Sequence, residues 1–250
     1  MGRLDHGRYR ARFAECDGDV RAAQALRYRA FIAETGAAPR PDGREADGFD
    51  TLCRHVLVED TESDALVCCF RVLPLGGGAE IATSYSAQYY GLTGLETYDG
   101  PLLEMGRFCI EPGRFDPEIV RVAWGALAKL VEDEGVEMLI GCSSFRGTDA
   151  ASYHDAFAVL KERHLGPKRW LPKVKAPNVF RFARRLRRKP DLRRALLTMP
   201  PLLRSYLSMG GWVSDHAVVD RDLGTLHVFT GLEIASIPPA RKRLLQAAAG

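Results

Sequence analysis

Two segments set charged side chains beside strand-like apolar residues: Asp47-Gly48-Phe49-Asp50, followed by His55, and Leu103-Glu104-Met105-Gly106-Arg107-Phe108. Between them, Arg71 interrupts the apolar run Phe70-Arg71-Val72-Leu73. A fold keeps charge in such places only when it is paired or working, because an unpaired buried charge is costly. Carboxylates and arginines in this order suggest a site that deprotonates an amine and holds a charged amino acid. An amine attacking a carbonyl must lose a proton, and the resulting oxyanion needs a donor. Glu104 is the candidate base. Arg107 lies three residues on, so a regular strand would point it to the opposite face unless a bulge at Gly106 brings the two together. Its other reading is a salt bridge to Asp47 or Asp50. Those aspartates read either as turn caps or as acceptors of a substrate ammonium. Arg71 either pairs with one of them or grips a substrate carboxylate in bidentate fashion. His55 alone reads as a hydrogen-bonded core residue. No Ser-His-Asp or Cys-His order argues for a covalent intermediate.

The elements that must position these residues follow from periodicity. Residues 8–15 alternate weakly and read as a first strand. Asp17 or Asp19 caps a helix over 20–34, in which Arg27 and Phe31, four apart, share a face. A loop over 36–48 leads to strands over 49–59 and 65–73, joined as a hairpin by the polar turn 60–64. Gly76-Gly77-Gly78 reads as a flexible connection. A strand over 101–110 ends at Glu111-Pro112-Gly113. Asp116 then caps a helix with Pro117 in its first turn, an apolar stripe from Ile119 to Leu130, and Gly135 as its stop. A buried strand over 136–142, a polar loop over 143–148 and a helix over 149–164 complete a β-α-β-β-β-α-β-α order. Beyond Pro167 the chain is rich in Pro, Lys and Arg to Arg194. Residues 196–209 read as helical after Pro200-Pro201, and 212–219 and 225–232 read as strands.

The chain of 250 residues, 46% hydrophobic and 27% charged, can bury a substantial core. Its net charge of +3 is unevenly spread. Arg181, Arg184, Arg185, Arg187, Arg188, Lys189, Arg193 and Arg194 are opposed in their stretch only by Asp191. This block predicts an anionic partner, a membrane surface or an acidic protein, with Arg181, Arg184, Arg185 and Arg188 on one helical face and Phe180 and Phe182 beside them. No recognition motif for nucleic acid accompanies it. The six cysteines lack CxxC spacing, which predicts buried free thiols of a reducing cytosol and no metal site. The N-terminus lacks the apolar core of a signal peptide, and no run reaches the ~20 apolar residues of a membrane span.

The element order resembles the GNAT acyltransferase fold: α/β (α+β), a central mixed sheet flanked by helices, here with a basic C-terminal extension. Leu26-Arg27-Tyr28-Arg29-Ala30-Phe31, Asp47-Gly48-Phe49-Asp50, Phe70-Arg71-Val72-Leu73-Pro74 and Glu104-Met105-Gly106-Arg107-Phe108 are similar to motifs of acyl-homoserine-lactone synthases. The match is closer to a sister family, the ornithine-lipid N-acyltransferases. There it takes in residues 49–55, 139–145, 200–207 and 220–225, and spans roughly residues 9–245. It implies a core over 1–166 and an extension over 167–250 that completes the sheet and contacts membrane or carrier protein.

The resemblance also implies an activity: transfer of a 3-hydroxyacyl chain from acyl carrier protein to the α-amine of ornithine, giving lyso-ornithine lipid in a bacterial cytoplasm, at the inner membrane face. It casts Glu104 as the base and Arg27, Phe31, Asp47, Asp50, Arg71 and Arg107 as substrate-binding. Ser143 and Ser144, placed at a strand end, would touch the donor's pantetheine. Arg181, Arg184, Arg185, Arg187 and Arg188 would meet membrane or carrier protein. The expected partners are acyl carrier protein, ornithine and an anionic membrane surface, not nucleic acid; no cofactor is expected beyond the carrier's phosphopantetheine. The junction Glu111-Pro112-Gly113-Arg114-Phe115-Asp116-Pro117 replaces the pyrophosphate loop of general acetyltransferases. Its two prolines supply no N–H, which argues against coenzyme A as donor. An acyl-homoserine-lactone synthase and a non-catalytic basic membrane-binding module are the alternatives.

Overall fold

The structure, a computed structural model, describes residues 3–33, 39–187 and 189–249. In chain order it begins with β1 (Leu4–His6), β2 (Tyr9–Phe13), α1 (Asp17–Tyr28), β3 (Arg54–Asp60), β4 (Ala65–Leu75), β5 (Tyr90–Gly91) and β6 (Leu102–Ile110). Then come α2 (Pro117–Asp133), β7 (Met138–Arg146), α3 (His154–Arg163), β8 (Lys173–Val174), β9 (Val179–Phe180), α4 (Phe182–Arg185) and α5 (Leu192–Thr198). The chain closes with α6 (Pro201–Ser208), β10 (Trp212–Val213), β11 (Ala217–Asp220), β12 (Thr225–Glu233) and α7 (Pro239–Ala249).

These elements form two compact units. The first holds Met1–Pro74, Met105–Val136 and Pro238–Gly250; the second holds Leu75–Glu104 and Glu137–Ile237. Position 166/167 lies inside the second unit. There β12, from the stretch expected to complete the sheet, pairs antiparallel with β7 from Thr225↔Arg146 to Glu233↔Met138.

In the first unit the strand order is β1-β2-β3-β4-β6, with antiparallel pairing from β1 through β4. α2 forms as its sequence dictates. Asp116 accepts the Glu118 N–H, Pro117 occupies the first turn, and Gly135 ends the helix in the left-handed region at φ +61°. Ile119, Val122, Ala123, Ala126, Leu127 and Leu130 line its buried stripe. α7, which periodicity did not reveal, packs against α2. The expected helix over 20–34 starts earlier, at Asp17, and passes into a π-helical turn at Arg29–Ala33; its expected end at Glu34 lies outside the described residues. The first expected strand, over 8–15, is β2, which pairs with β1 in a hairpin. At the start of the expected strand 49–59 stands a 3₁₀ turn, Gly48–Thr51, and β3 begins only at Arg54.

In the second unit the order is β7-β12-β11-β9, with β10 also on β12, while β5 pairs with β8 in a separate ribbon. Its core gathers Phe145, Phe157, Phe182, Leu203, Val213, Leu226 and Val228. Two expectations are corrected here. Residues 143–146 are strand, not loop, because β12 supplies ladder partners as far as Arg146. The basic block is no continuous helix: α4 is a single turn closed by an extended Leu186, and α5 starts at its own cap, Asp191.

Candidate functional site

In the first unit, the 3₁₀ turn Gly48–Thr51 aims two aspartates at three arginines. Asp47 caps the turn by accepting the Phe49 N–H at 2.9 Å, and Asp50 accepts the Asp47 N–H at 3.4 Å. Arg71, from β4, grips Asp47 with Nη1–Oδ1 at 2.6 Å and Nη2–Oδ2 at 2.8 Å, and its Nη1 also reaches Asp50 at 2.6 Å. Arg27, in the last turn of α1, grips Asp50 with both Nη atoms at 2.7 Å. Arg107, from β6, donates to Asp47 at 2.9 Å and to Glu45 at 3.1 Å. Glu45 completes the set: its carboxylate lies 2.7 Å from Arg27 Nε, and its carbonyl also accepts from Arg27.

Three carboxylates thus face three guanidiniums, and the network is neutral. Arg27, Glu45 and Arg71 are buried, whereas the Asp47 side chain is 26% exposed and that of Arg107 is 10% exposed. The network therefore meets solvent at Asp47. Burial pushes the Asp50 carboxyl up, but hydrogen bonds and charge from Arg27, Gln24 and Arg71 outweigh it, leaving its pKa well below the ordinary range. The same contest at Asp47, with Arg71 and Arg107 opposing burial, ends below the ordinary value. His55 is buried and bonds the Asp50 carbonyl through Nε2 at 2.9 Å; burial dominates and lowers its pKa, so the ring is neutral. Phe31 sits in the π-helical turn, partly buried against Leu26, Leu57 and Cys69.

Arg107 has φ +56°, a left-handed conformation in mid-strand. A non-glycine residue held there costs on the order of 1–3 kcal/mol and persists only where its surroundings enforce it. Strict alternation therefore fails at this residue, and its guanidinium meets Glu45 and Asp47. Arg71 pairs with Asp47 and Asp50.

Glu104, Ser143 and Ser144 belong to the second unit. Glu104 is 4% exposed, and its two oxygens accept the Tyr85 N–H at 2.7 Å and the Ser86 N–H at 2.8 Å. Two backbone donors fix the orientation of its carboxylate. An aromatic group adjoins those donors: Tyr85 packs on Tyr89, Tyr89 on His227, and the Tyr90 hydroxyl donates to the His227 carbonyl at 2.7 Å. Ser143 and Ser144 lie within β7 rather than at its end. Ser143 is buried and accepts from Thr230 at 3.0 Å, while Ser144 is exposed.

In the basic block Arg181, Arg184, Arg185 and Arg187 are exposed, and Arg188 lies outside the described residues. Phe182 is fully buried and stacks on Phe157 at 5.1 Å, so it does not stand at the surface beside the arginines. Phe180 is half-buried and stacks on His154.

Sequence reasoning missed Glu45, Gln24, Tyr85, Tyr89 and His227. Glu45 left one clue, its place two residues before Asp47; Tyr85 and Tyr89 left their four-residue spacing. All six cysteines are free, with Cys68, Cys69 and Cys109 buried. Among the described residues no cluster of three or more His, Cys, Asp or Glu is placed to hold a metal ion. Nor is any of their helices long and apolar enough to cross a membrane.

Residues 26–125 match the acetyltransferase (GNAT) domain family. An N-acyl amino acid synthase from uncultured soil microbes superposes with TM-score 0.53, covering 91% of this chain and 93% of that one, at 10% identity; this likeness concerns the fold alone. The matched stretch is thus an acetyltransferase domain of the GNAT class. The L-ornithine N(alpha)-acyltransferase of Rhodobacter capsulatus is 35% identical over 229 residues, 88% of each chain. That of Brucella abortus is 31% identical, over 95% of this chain and 88% of its own. The chain belongs to the L-ornithine N(alpha)-acyltransferase family.

Proposed function

We propose that the chain transfers a 3-hydroxyacyl group from the phosphopantetheine thioester of acyl carrier protein to the α-amine of ornithine, yielding lyso-ornithine lipid. What carries the acceptor half is the 35% identity to an L-ornithine N(alpha)-acyltransferase over 88% of the chain. In this reading Glu104 takes the proton from the α-ammonium, already oriented by the Tyr85 and Ser86 amides. The amine lone pair attacks the thioester carbon. The tetrahedral intermediate then loses the second proton of its nitrogen, collapses to the amide and expels the pantetheine thiolate, which takes up that proton as it leaves.

The donor half rests on the start of α2. A pyrophosphate needs free N–H groups there and a positive field. Instead Asp116 places a carboxylate on that helix end, accepts the Glu118 N–H at 2.9 Å and takes the Tyr9 hydroxyl at 2.7 Å. Pro112 and Pro117 contribute no N–H. A second anion would be repelled, whereas a carrier-bound pantetheine brings a single phosphate that need not sit there.

Two measurements test the reading. Glu104→Gln keeps shape and removes proton acceptance, so kcat for N-acylornithine, followed by mass spectrometry, should fall by ~10²–10⁴-fold. Folded variant protein within about threefold of wild type removes Glu104 from the base role. For the donor, acyl carrier protein should exceed acyl-CoA in kcat/KM by about tenfold or more, and equal values would end the α2 argument.

A further inference from the structure

α5 exposes an apolar surface set among arginines. Leu192, Leu196 and Leu197 are 46%, 58% and 77% exposed, so three of the eight exposed large hydrophobic residues described stand on one seven-residue helix. Ala195 is the buried contact of this helix, and Met199, just past its end, is buried beside it. At about 100° per residue the outward arc runs Leu192, Leu196, Arg193, Leu197, Arg194. Arg204 joins this face, its Nη1 lying 3.4 Å from the Leu196 carbonyl. Residues 181–204 carry nine basic side chains against one acid, Asp191, and that carboxylate caps α5 by accepting the Arg193 and Arg194 N–H groups.

We propose that α5 is an interfacial helix that seats the protein on an anionic lipid bilayer. Leu192, Leu196 and Leu197 enter the boundary between headgroups and acyl chains, and Arg193, Arg194 and Arg204 bind lipid phosphates. The charge is complementary to such a surface, and apolar burial adds to it, the combination that makes an amphipathic helix lie in a membrane interface. An acidic protein would account for the arginines alone; leucines standing out between them are accounted for by a surface that is charged outside and apolar just beneath. Exposed arginines at 181–187, on the preceding segment, widen the electrostatic footprint. One short helix buries little area, so attachment is reversible and salt-sensitive. The inference needs neither the ornithine nor the carrier-protein assignment, and its test does not read activity.

The test is co-sedimentation of the full chain with vesicles of phosphatidylcholine alone, or with about a quarter phosphatidylglycerol, at low and high salt. Wild type should partition to the anionic vesicles at low salt. A variant carrying Leu192→Ser, Leu196→Ser and Leu197→Ser should bind them about tenfold or more weakly. A variant carrying Arg193→Gln, Arg194→Gln and Arg204→Gln should lose the preference for anionic lipid. In a Leu197→Trp variant, tryptophan emission should shift to the blue on adding anionic vesicles, beyond any change in wild type. The proposal is overturned if wild type ignores anionic vesicles, if either triple variant binds like wild type, or if the emission of the Leu197→Trp variant shifts no more than that of wild type. Weaker titration of acyl carrier protein by the arginine variant, with vesicle binding intact, would make an acidic protein the occupant instead.

Discussion

The two arginine-rich regions of this molecule use the same side chain in opposite ways. In the first unit Arg27, Arg71 and Arg107 are inside or nearly so, each held by at least two acceptors on other elements, and their charge is cancelled by Glu45, Asp47 and Asp50. In the second unit the described arginines of 181–204 stand in solvent; the stretch holds one acid, Asp191, itself occupied as a helix cap, and beyond it Arg194 lies 3.7 Å from Asp155. A guanidinium keeps its charge at any accessible pH, so burying it obliges the fold to supply carboxylates in bidentate geometry. Exposure carries no such obligation, and uncompensated charge remains directed outward. Balanced charge thus marks internal architecture, and unbalanced charge marks a surface with work outside the chain.

The sharpest break of this comparison removes one buried guanidinium. Arg27→Ala leaves the buried Asp50 and Glu45 with one guanidinium each, Arg71 and Arg107, where each had two. Breaking a buried pair from one side costs about 3–5 kcal/mol, and we expect that loss in urea unfolding. A cost below about 1 kcal/mol would show that solvent or rearrangement replaces Arg27, and the network would not be architectural.

Much of that network was legible, and the reason is local. Arg71 inside an apolar strand, and Asp47 and Asp50 before one, are charges that a fold cannot leave unpaired. α2 was equally legible, because its cap, first-turn proline, apolar stripe and terminal glycine are all written within one segment. Glu45 was not. It lies in a loop without periodicity, and only Arg27 and Arg107, brought from α1 and β6, bury it. Residues 143–146 read as loop from their serines, and it takes β12, some eighty positions on, to make them strand. The donors to Glu104 are the cap and first residue of the 3₁₀ turn Ser86–Gln88, a run too short to leave a repeat to read. The basic block read as one helix because charge spacing was visible, whereas the burial of Phe182, which anchors its single turn, depends on Phe157 from α3.

A gentler probe is pH. Asp47 and Asp50 have depressed pKa values, so their contribution to stability is present above the ordinary carboxylate range, about 4, and is lost as pH falls through their lower folded values. His55 is also depressed, by burial; its contribution is complete above about 6.5 and fades as pH falls toward its folded value. The urea midpoint should therefore begin to decline below about pH 6.5 and fall more steeply below about pH 4. His55→Gln should flatten the upper part of that decline. A midpoint constant from pH 7 to 4 in wild type would contradict the buried, neutral ring.

The smallest expected effect completes the comparison. Arg184→Gln, Arg185→Gln and Arg187→Gln together remove three positive charges from exposed positions. Arg185 lies 6.0 Å from the Phe180 ring centroid, a contact worth at most about 1 kcal/mol at such exposure. Removing like charges from a basic cluster relieves repulsion, which offsets that loss. The urea midpoint should therefore move little, with a net change within about 0.5 kcal/mol, while the salt dependence of binding to anionic vesicles becomes shallower. The two readouts must separate for the contrast to stand. If the triple substitution destabilised the fold as Arg27→Ala is expected to do, these arginines would also be architectural, and charge imbalance along the sequence would no longer distinguish an outward-facing surface from an internal network.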